Sequence, residues 1–153
     1  MEIKLNNKIS FSYKNRPLII AEISGNHGGN KKKFLKLIKE AFDGGADLVK
    51  IQTYETCDMT ISQKYKIKSG EWKNMNLAKL YDRAQTPYDW HYDAFKLAKK
   101  LKVVLFSTPF SIRALNFLKQ FNPPIYKIAS FEITDVNLIN EIAKCKKPII
   151  LST

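Results

Sequence analysis

The sequence predicts an α/β fold in which a parallel sheet of about five strands is covered by about four helices, as an open doubly wound sheet or as the wall of a (β/α)-barrel. Three observations carry this prediction. From residue 17 onward, strand-like and helix-like segments alternate strictly. The strand-like segments are nearly continuous apolar runs, as strands covered on both faces must be. Polar residues collect at the C-terminal ends of those runs.

Residues 1–16 form a unit of their own. Ile3 and Leu5, then Ile9, Phe11 and Tyr13, alternate around Asn6-Asn7, the pattern of a β-hairpin with a tight turn. Residues 17–153 carry the α/β pattern, beginning with the short strand Leu18 to Ile23. The turn from Ser24 to Asn30, rich in Gly and Asn, leads into a helix whose apolar positions Phe34, Leu37, Ile38 and Ala41 follow helical spacing and which Gly44-Gly45 ends. Asp47 to Gln52 reads as the next strand. A long connection over residues 53–86 follows, with a short helix at Leu77 to Ala84 and the length of a functional loop. Next comes a helix at about 87–101, with Thr86 as its N-cap, Pro87 at its first position and Asp89 in its first turn. Strands at Val103 to Ser107, Ile125 to Ala129 and Pro148 to Ser152 alternate with helices at about 112–121 and 135–144. The chain stops at the end of a strand that no helix covers, so an incomplete barrel, a piece of a larger one, is expected.

The doubly wound nucleotide-binding version requires G-x-G-x-x-G after its first strand. Ser24-Gly25-Asn26-His27-Gly28-Gly29 fails that spacing, and Glu22 places an anion where a phosphate would have to approach.

Composition excludes several classes. A chain of 153 residues with 44% hydrophobic and 26% charged residues is globular and large enough to bury a core. No apolar run approaches the roughly 18 residues of a membrane span, and no signal-peptide pattern opens the chain, so the expected compartment is the cytosol. The formal charge of +12 suggests a polyanion partner, but only Arg16, Arg83 and Arg113 are arginines, and many of the lysines lie on the polar faces of helices. A nucleic-acid face would use Arg with interleaved aromatics, so no nucleic-acid partner is expected. Cys57 and Cys145, far apart, are expected to be reduced and incidental.

Side chains alternate along a strand, so Lys50 and Gln52 face opposite to Val49 and Ile51. With apolar residues turned toward the helices, the polar ones enter the barrel. Glu22, Lys50, Gln52, Ser107, Thr108, Lys127, Ser130 and Glu132 then lie at the C-terminal strand ends, where barrel active sites are built. Lysines with hydroxyls suit a phosphate or carboxylate ligand, and carboxylates suit proton transfer. Two other uses stay open: interior ion pairs, Lys50 with Glu22 and Lys127 with Glu132, and a Schiff base on either lysine. His27, in its Gly-rich turn, reads as a turn-stabilising hydrogen bonder or a proton shuttle, and His91 as structural. Tyr54, Trp72, Tyr81 and Tyr88 either line a sugar site or pack the long connection.

Five blocks in order carry a resemblance. Ala21-Glu22-Ile23-Ser24-Gly25-Asn26-His27, Lys50-Ile51-Gln52-Thr53-Tyr54, Phe106-Ser107-Thr108-Pro109-Phe110, Tyr126 to Glu132 and Lys147 to Thr153 resemble the sialic acid synthase family. Asp58-Met59-Thr60, Lys66-Ile67-Lys68, Thr86-Pro87 with Trp90-His91, and Ala129 to Thr134 are most similar to its pseudaminic acid branch. The resemblance implies a TIM-type (β/α)8 barrel followed by an antifreeze-like domain, in a homodimeric enzyme. That enzyme condenses phosphoenolpyruvate with an open-chain acetamido sugar and releases phosphate. It implies that Lys50, Thr108, Lys127 and Ser130 bind phosphoenolpyruvate, that Gln52 and Glu22 face the sugar, and that Glu22 and Glu132 transfer protons. It also implies a divalent metal, manganese or magnesium, acting as a Lewis acid, with no ligand in this chain and two histidine ligands beyond Thr153.

Overall fold

The computed structural model describes residues 2–6, 9–62 and 64–153. Strands β1 (Glu2–Lys4) and β2 (Ser10–Ser12) pair antiparallel with Ile3 opposite Phe11. The expected turn at Asn6-Asn7 falls partly on Asn7, outside the described residues. Leu5 N donates to Ile9 O at 2.9 Å, and Ile9 N donates to Asn6 Oδ1 at 2.7 Å.

The remaining elements are β3 (Ile20–Glu22), α1 (Lys31–Asp43), β4 (Leu48–Thr53), α2 (Thr56–Met59), α3 (Leu77–Ala84), α4 (Tyr88–Leu101), β5 (Val104–Pro109), α5 (Ile112–Lys119), β6 (Tyr126–Ile128), α6 (Val136–Ala143) and β7 (Ile149–Leu151). A 3-10 helix, Ser130–Thr134, follows β6. The five strands from β3 to β7 form one parallel sheet in chain order. That order decides between the two architectures. A doubly wound sheet reverses direction at a switch point, whereas this one advances without reversal, as a curled barrel wall does.

Alternation along the strands separates two apolar layers. Val49, Ile51 and Leu105 face outward and bury Phe34 and Ile38 of α1 and Ala94 and Ala98 of α4. Tyr126 and Ile128 do the same for Leu115, Leu118, Leu138 and Ile142 of α5 and α6. Each fully buried large side chain there is worth about 1.5–3 kcal/mol. On the inner face, Leu48, Val104, Phe106 and Ile125 gather around Leu5, with Ile3, Ile9 and Ile150 against them. The hairpin thus covers the lower, N-terminal half of the inner face.

Helix starts follow the sequence closely. Asn30, Asn76, Ser111 and Asp135 cap α1, α3, α5 and α6, each side chain accepting a backbone N–H three residues on. The start of α4 differs. Pro87, in extended conformation, is its cap residue, with no side-chain hydrogen bond. Thr86 is buried beside His27 instead, its Oγ1 3.5 Å from Nε2. Its hydroxyl serves the packing of the turn before α1, which outweighs the local capping preference.

The connection over residues 53–86 is organised. Backbone bonds between Ile67 and Met75 and from Leu77 N to Tyr65 O fold its middle back on itself. Its start is tied to α5 by Arg113, which pairs with Glu55 at 2.9 Å and Asp58 at 3.0 Å. Its end docks on the first turn, where a Cβ on Gly25 would stand 2.8 Å from Ala84 Cβ. Gly25 therefore permits a close approach of chain to chain.

Candidate active site

Above the apolar inner layer, strands β3 to β6 each turn a polar side chain inward. Glu22 on β3 stands opposite Lys50 on β4, and Gln52 opposite Thr108 on β5. Lys50 pairs with the Glu22 carboxylate, and its Nζ lies 3.5 Å from Thr108 Oγ1. Glu22 Oε1 also accepts Ser24 N at 2.9 Å, and Ser24 Oγ donates to Gln52 Oε1 at 3.2 Å. From β6, Lys127 Nζ donates to Ile128 O at 2.7 Å and to Ser152 Oγ, just past β7. The strand ends thus bring together Glu22, Lys50, Gln52, Thr108 and Lys127.

Their electrostatics show incomplete compensation. Burial, and after it the like charge of Lys127, pushes Lys50 down to about 8. Lys127 is lowered by burial, an effect opposed by Glu132. Glu132 is raised, first by burial and then by Asp135, with Lys127 opposing. Its Oε2 is buried without a hydrogen-bond partner. Two ammonium groups and a hydroxyl facing one space can hold an anion, and an orphaned, partly buried carboxyl can carry a proton.

The expected ion pairs divide. Lys50–Glu22 forms, whereas Lys127 bonds Ser152 rather than Glu132. Ser130 and Glu132 are also placed differently from the strand-end reading. The strand stops at Ile128, and both residues lie on the 3-10 helix, where Glu132 N bonds Ala129 O at 3.1 Å. This turn leaves Ser130 exposed and Phe131 84% exposed. Ser107 departs as well: it faces outward and is fully buried beneath α4. Ser152 and Ser24 are the polar members that the reading of the strands missed. Ser152 was within reach, since it follows Ile150 at the same two-residue interval that turned Lys50 and Gln52 inward.

Both histidines are buried. His27 Nδ1 accepts Gly29 N at 3.1 Å, the turn-stabilising role, and its ring meets Phe34 and Trp90 edge-on. Burial lowers its pKa, and it pushes His91 down to about 4. Tyr54 packs edge-on against Tyr81 and Phe110, so these two pack the long connection, while Tyr88 stacks on Phe117 at 4.3 Å between α4 and α5 and Trp72 is exposed. Cys57 and Cys145 are free thiols. Among the described residues no three His, Cys, Asp or Glu side chains converge to hold a metal ion. With both imidazoles enclosed, this donor set does not fit a catalytic divalent ion on its own.

Fold and site together define a (β/α)-barrel-type chain whose inner polar groups gather at the C-terminal strand ends. The chain belongs to the NeuB family, whose model matches residues 37–153. It is 44% identical over 147 residues to a pseudaminic acid synthase of Campylobacter jejuni, covering 94% of this chain and 43% of that protein. Against an N,N'-diacetyllegionaminic acid synthase of Campylobacter jejuni the identity is 35% over 142 residues, covering 90% of this chain and 42% of that protein. An N-acetylneuraminic acid synthetase of Leptospira borgpetersenii, solved with citrate, superposes with a TM-score of 0.85 at 28% identity, covering 99% of this chain and 49% of that one. The chain therefore spans less than half the length of these relatives. No helix among the described residues is long and apolar enough to cross a membrane.

Proposed function

We propose that this chain supplies the phosphoenolpyruvate side of a pseudaminic acid synthase. That enzyme joins phosphoenolpyruvate to 2,4-diacetamido-2,4,6-trideoxy-altrose, giving pseudaminic acid and phosphate, for cell-surface glycans made in the cytosol. One observation carries the reading: Lys50 and Lys127, from β4 and β6, share an inner face with Thr108, close enough for the charge of one to depress the other. Such a pair of cations favours an anionic ligand, and phosphoenolpyruvate brings a phosphate and a carboxylate.

In this reading Lys50, Thr108, Lys127 and Ser130 hold the two anionic groups, and Ser130 reaches them from the 3-10 turn. Gln52 and Glu22 face the sugar, linked through Ser24. The terminal methylene carbon of phosphoenolpyruvate bonds to the sugar aldehyde carbon, whose oxygen takes a proton. Water adds to the phosphate-bearing carbon, and phosphate leaves from the resulting tetrahedral centre. Glu132, its carboxyl raised by burial, is the group suited to hold a proton at that centre. Glu22 stays an ion-pair partner of Lys50 until ligand displaces it. The manganese or magnesium ion that the family resemblance implies would draw its ligands from outside these residues, and no step above passes through it.

The higher identity to the pseudaminic than to the legionaminic relative supports the sugar assignment. The test is phosphate release by the full-length protein from phosphoenolpyruvate with the altro-configured diacetamido sugar or with N-acetylmannosamine. Preference for the first is expected; preference for the second would move the chain to another branch of the family.

A further inference from the structure

Beneath α4, on the face of the sheet opposite the lysines, a hydrogen-bond chain crosses from helix to strand to strand. Thr53 of β4, Ser107 of β5 and His91 of α4 are all fully buried. His91 Nε2 lies 2.8 Å from Thr53 Oγ1, which lies 2.6 Å from Ser107 Oγ. His91 Nδ1 lies 3.1 Å from Pro87 O, and Ser107 Oγ lies 3.2 Å from Ile51 O.

Donor and acceptor counting assigns the protons of His91 and Thr53 in this chain. A carbonyl only accepts, so His91 Nδ1 carries the proton and donates to Pro87 O. In the neutral ring Nε2 then accepts, and it takes its hydrogen bond from Thr53. The Thr53 hydroxyl has one proton, now spent, so its oxygen accepts from Ser107, whose single proton is shared between Thr53 Oγ1 and Ile51 O. The order runs in one direction, from Ser107 to Thr53 to His91 to Pro87. Each of the three side chains has a hydrogen-bond partner, as a fully buried network requires.

The placement of this chain is the point. Thr53 directly follows Gln52, and Ser107 directly precedes Thr108, while Gln52 and Thr108 are register partners on the inner face. The outer chain therefore joins β4 to β5 at the level of the inner polar groups. We propose that His91, Thr53 and Ser107 are positioning residues, a proton-ordered clamp that sets the height and spacing of Gln52 and Thr108 in the anion site. The anion part of this inference rests on the phosphoenolpyruvate reading above; the clamp itself does not.

Thr53→Val keeps the shape and removes the hydroxyl, and Thr53→Ser restores the hydroxyl without the methyl. The measurements, on the intact protein, are backbone amide resonances and hydrogen exchange at Gln52 and Thr108, the ring-nitrogen signals of His91, and affinity for inorganic phosphate. In the unmodified protein His91 is expected to be neutral at neutral pH, with its proton on Nδ1. Thr53→Val should shift both amides, speed their exchange and weaken phosphate about tenfold, the scale of one lost buried hydrogen bond. Thr53→Ser should restore most of each. Leu118→Ala, which destabilises the outer core away from the clamp, should leave the two amides in place. Unchanged Gln52 and Thr108 amides in Thr53→Val, or a His91 protonated on Nε2 only, overturns the clamp. Where the amides move as expected but the unmodified protein binds no phosphate, the clamp stands and the phosphoenolpyruvate reading fails. Should Thr53→Val not fold, Ser107→Ala puts the same question to the other end of the chain.

Discussion

The two faces of the sheet treat buried polar groups in opposite ways. On the outer face, the hydroxyls of Ser107 and Thr53 and both ring nitrogens of His91 have partners within the protein. On the inner face, Glu132 Oε2 has no partner, Lys50 is held below the usual lysine range, and Lys127 leans on a carbonyl and a hydroxyl instead of a carboxylate. Both faces belong to the same strands. The contrast shows that polarity in a core does not identify a site; unfinished satisfaction does.

Activity offers the largest break in this contrast. Lys127→Ala in the full-length protein should lower turnover by about a thousandfold, the scale of losing a charged group that stabilises a reacting anion, with the thermal midpoint retained. Retained turnover would move the anion site elsewhere. On the outer face the effect reverses. Leu118→Ala empties a fully buried position and should cost about 3–5 kcal/mol of stability in denaturant titrations, while phosphate affinity of the folded protein stays the same.

Two pH experiments sharpen the comparison. Phosphate binding should weaken as pH rises through about 8, where Lys50 loses its proton, and Lys50→Met should flatten that dependence. Glu132 gives a smaller signal. Its folded pKa lies above the ordinary 4.5, so the folded state holds the proton longer and stability falls as pH rises above that value. Glu132→Gln should remove this slope, and an unchanged slope would show that the carboxyl is solvated. The smallest effect is expected from the exposed pair Lys36–Glu40 on α1, where Lys36→Ala should leave the melting temperature unchanged.

Much of this contrast was legible in the sequence because the two-residue period of a strand assigns faces without knowledge of the fold. Lys50 and Gln52 against Val49 and Ile51 is the clearest case, and the helix bounds near Leu77 and Ala84 followed from the same kind of patterning. Three features were not legible. The 3-10 turn at Ser130 depends on backbone geometry after β6 that apolar patterning does not encode. Thr86 has the chemistry of a cap, and only the approach of His27 from another turn diverts it. The outer hydrogen-bond chain joins residues 38 and 54 positions apart, beyond the range of any local rule.

The order of the strands, β3 through β7 in sequence, has a consequence for how the chain acquires its shape. Each new strand needs only the one made just before it, so the sheet can grow as the ribosome delivers it, one βα unit at a time. The exception is the join of β4 to β5, where Lys50 must find Thr108 across 58 residues. Closing that loop carries the largest entropy of any neighbouring pair in the sheet. The seat of Ala84 on Gly25 shortens the search by returning the intervening segment to the first turn, and the ties of Arg113 to Glu55 and Asp58 hold the join once it is made. Synthesis that pauses before residue 104 would leave a two-stranded intermediate, whose exposed edge is the chain's window for misassembly.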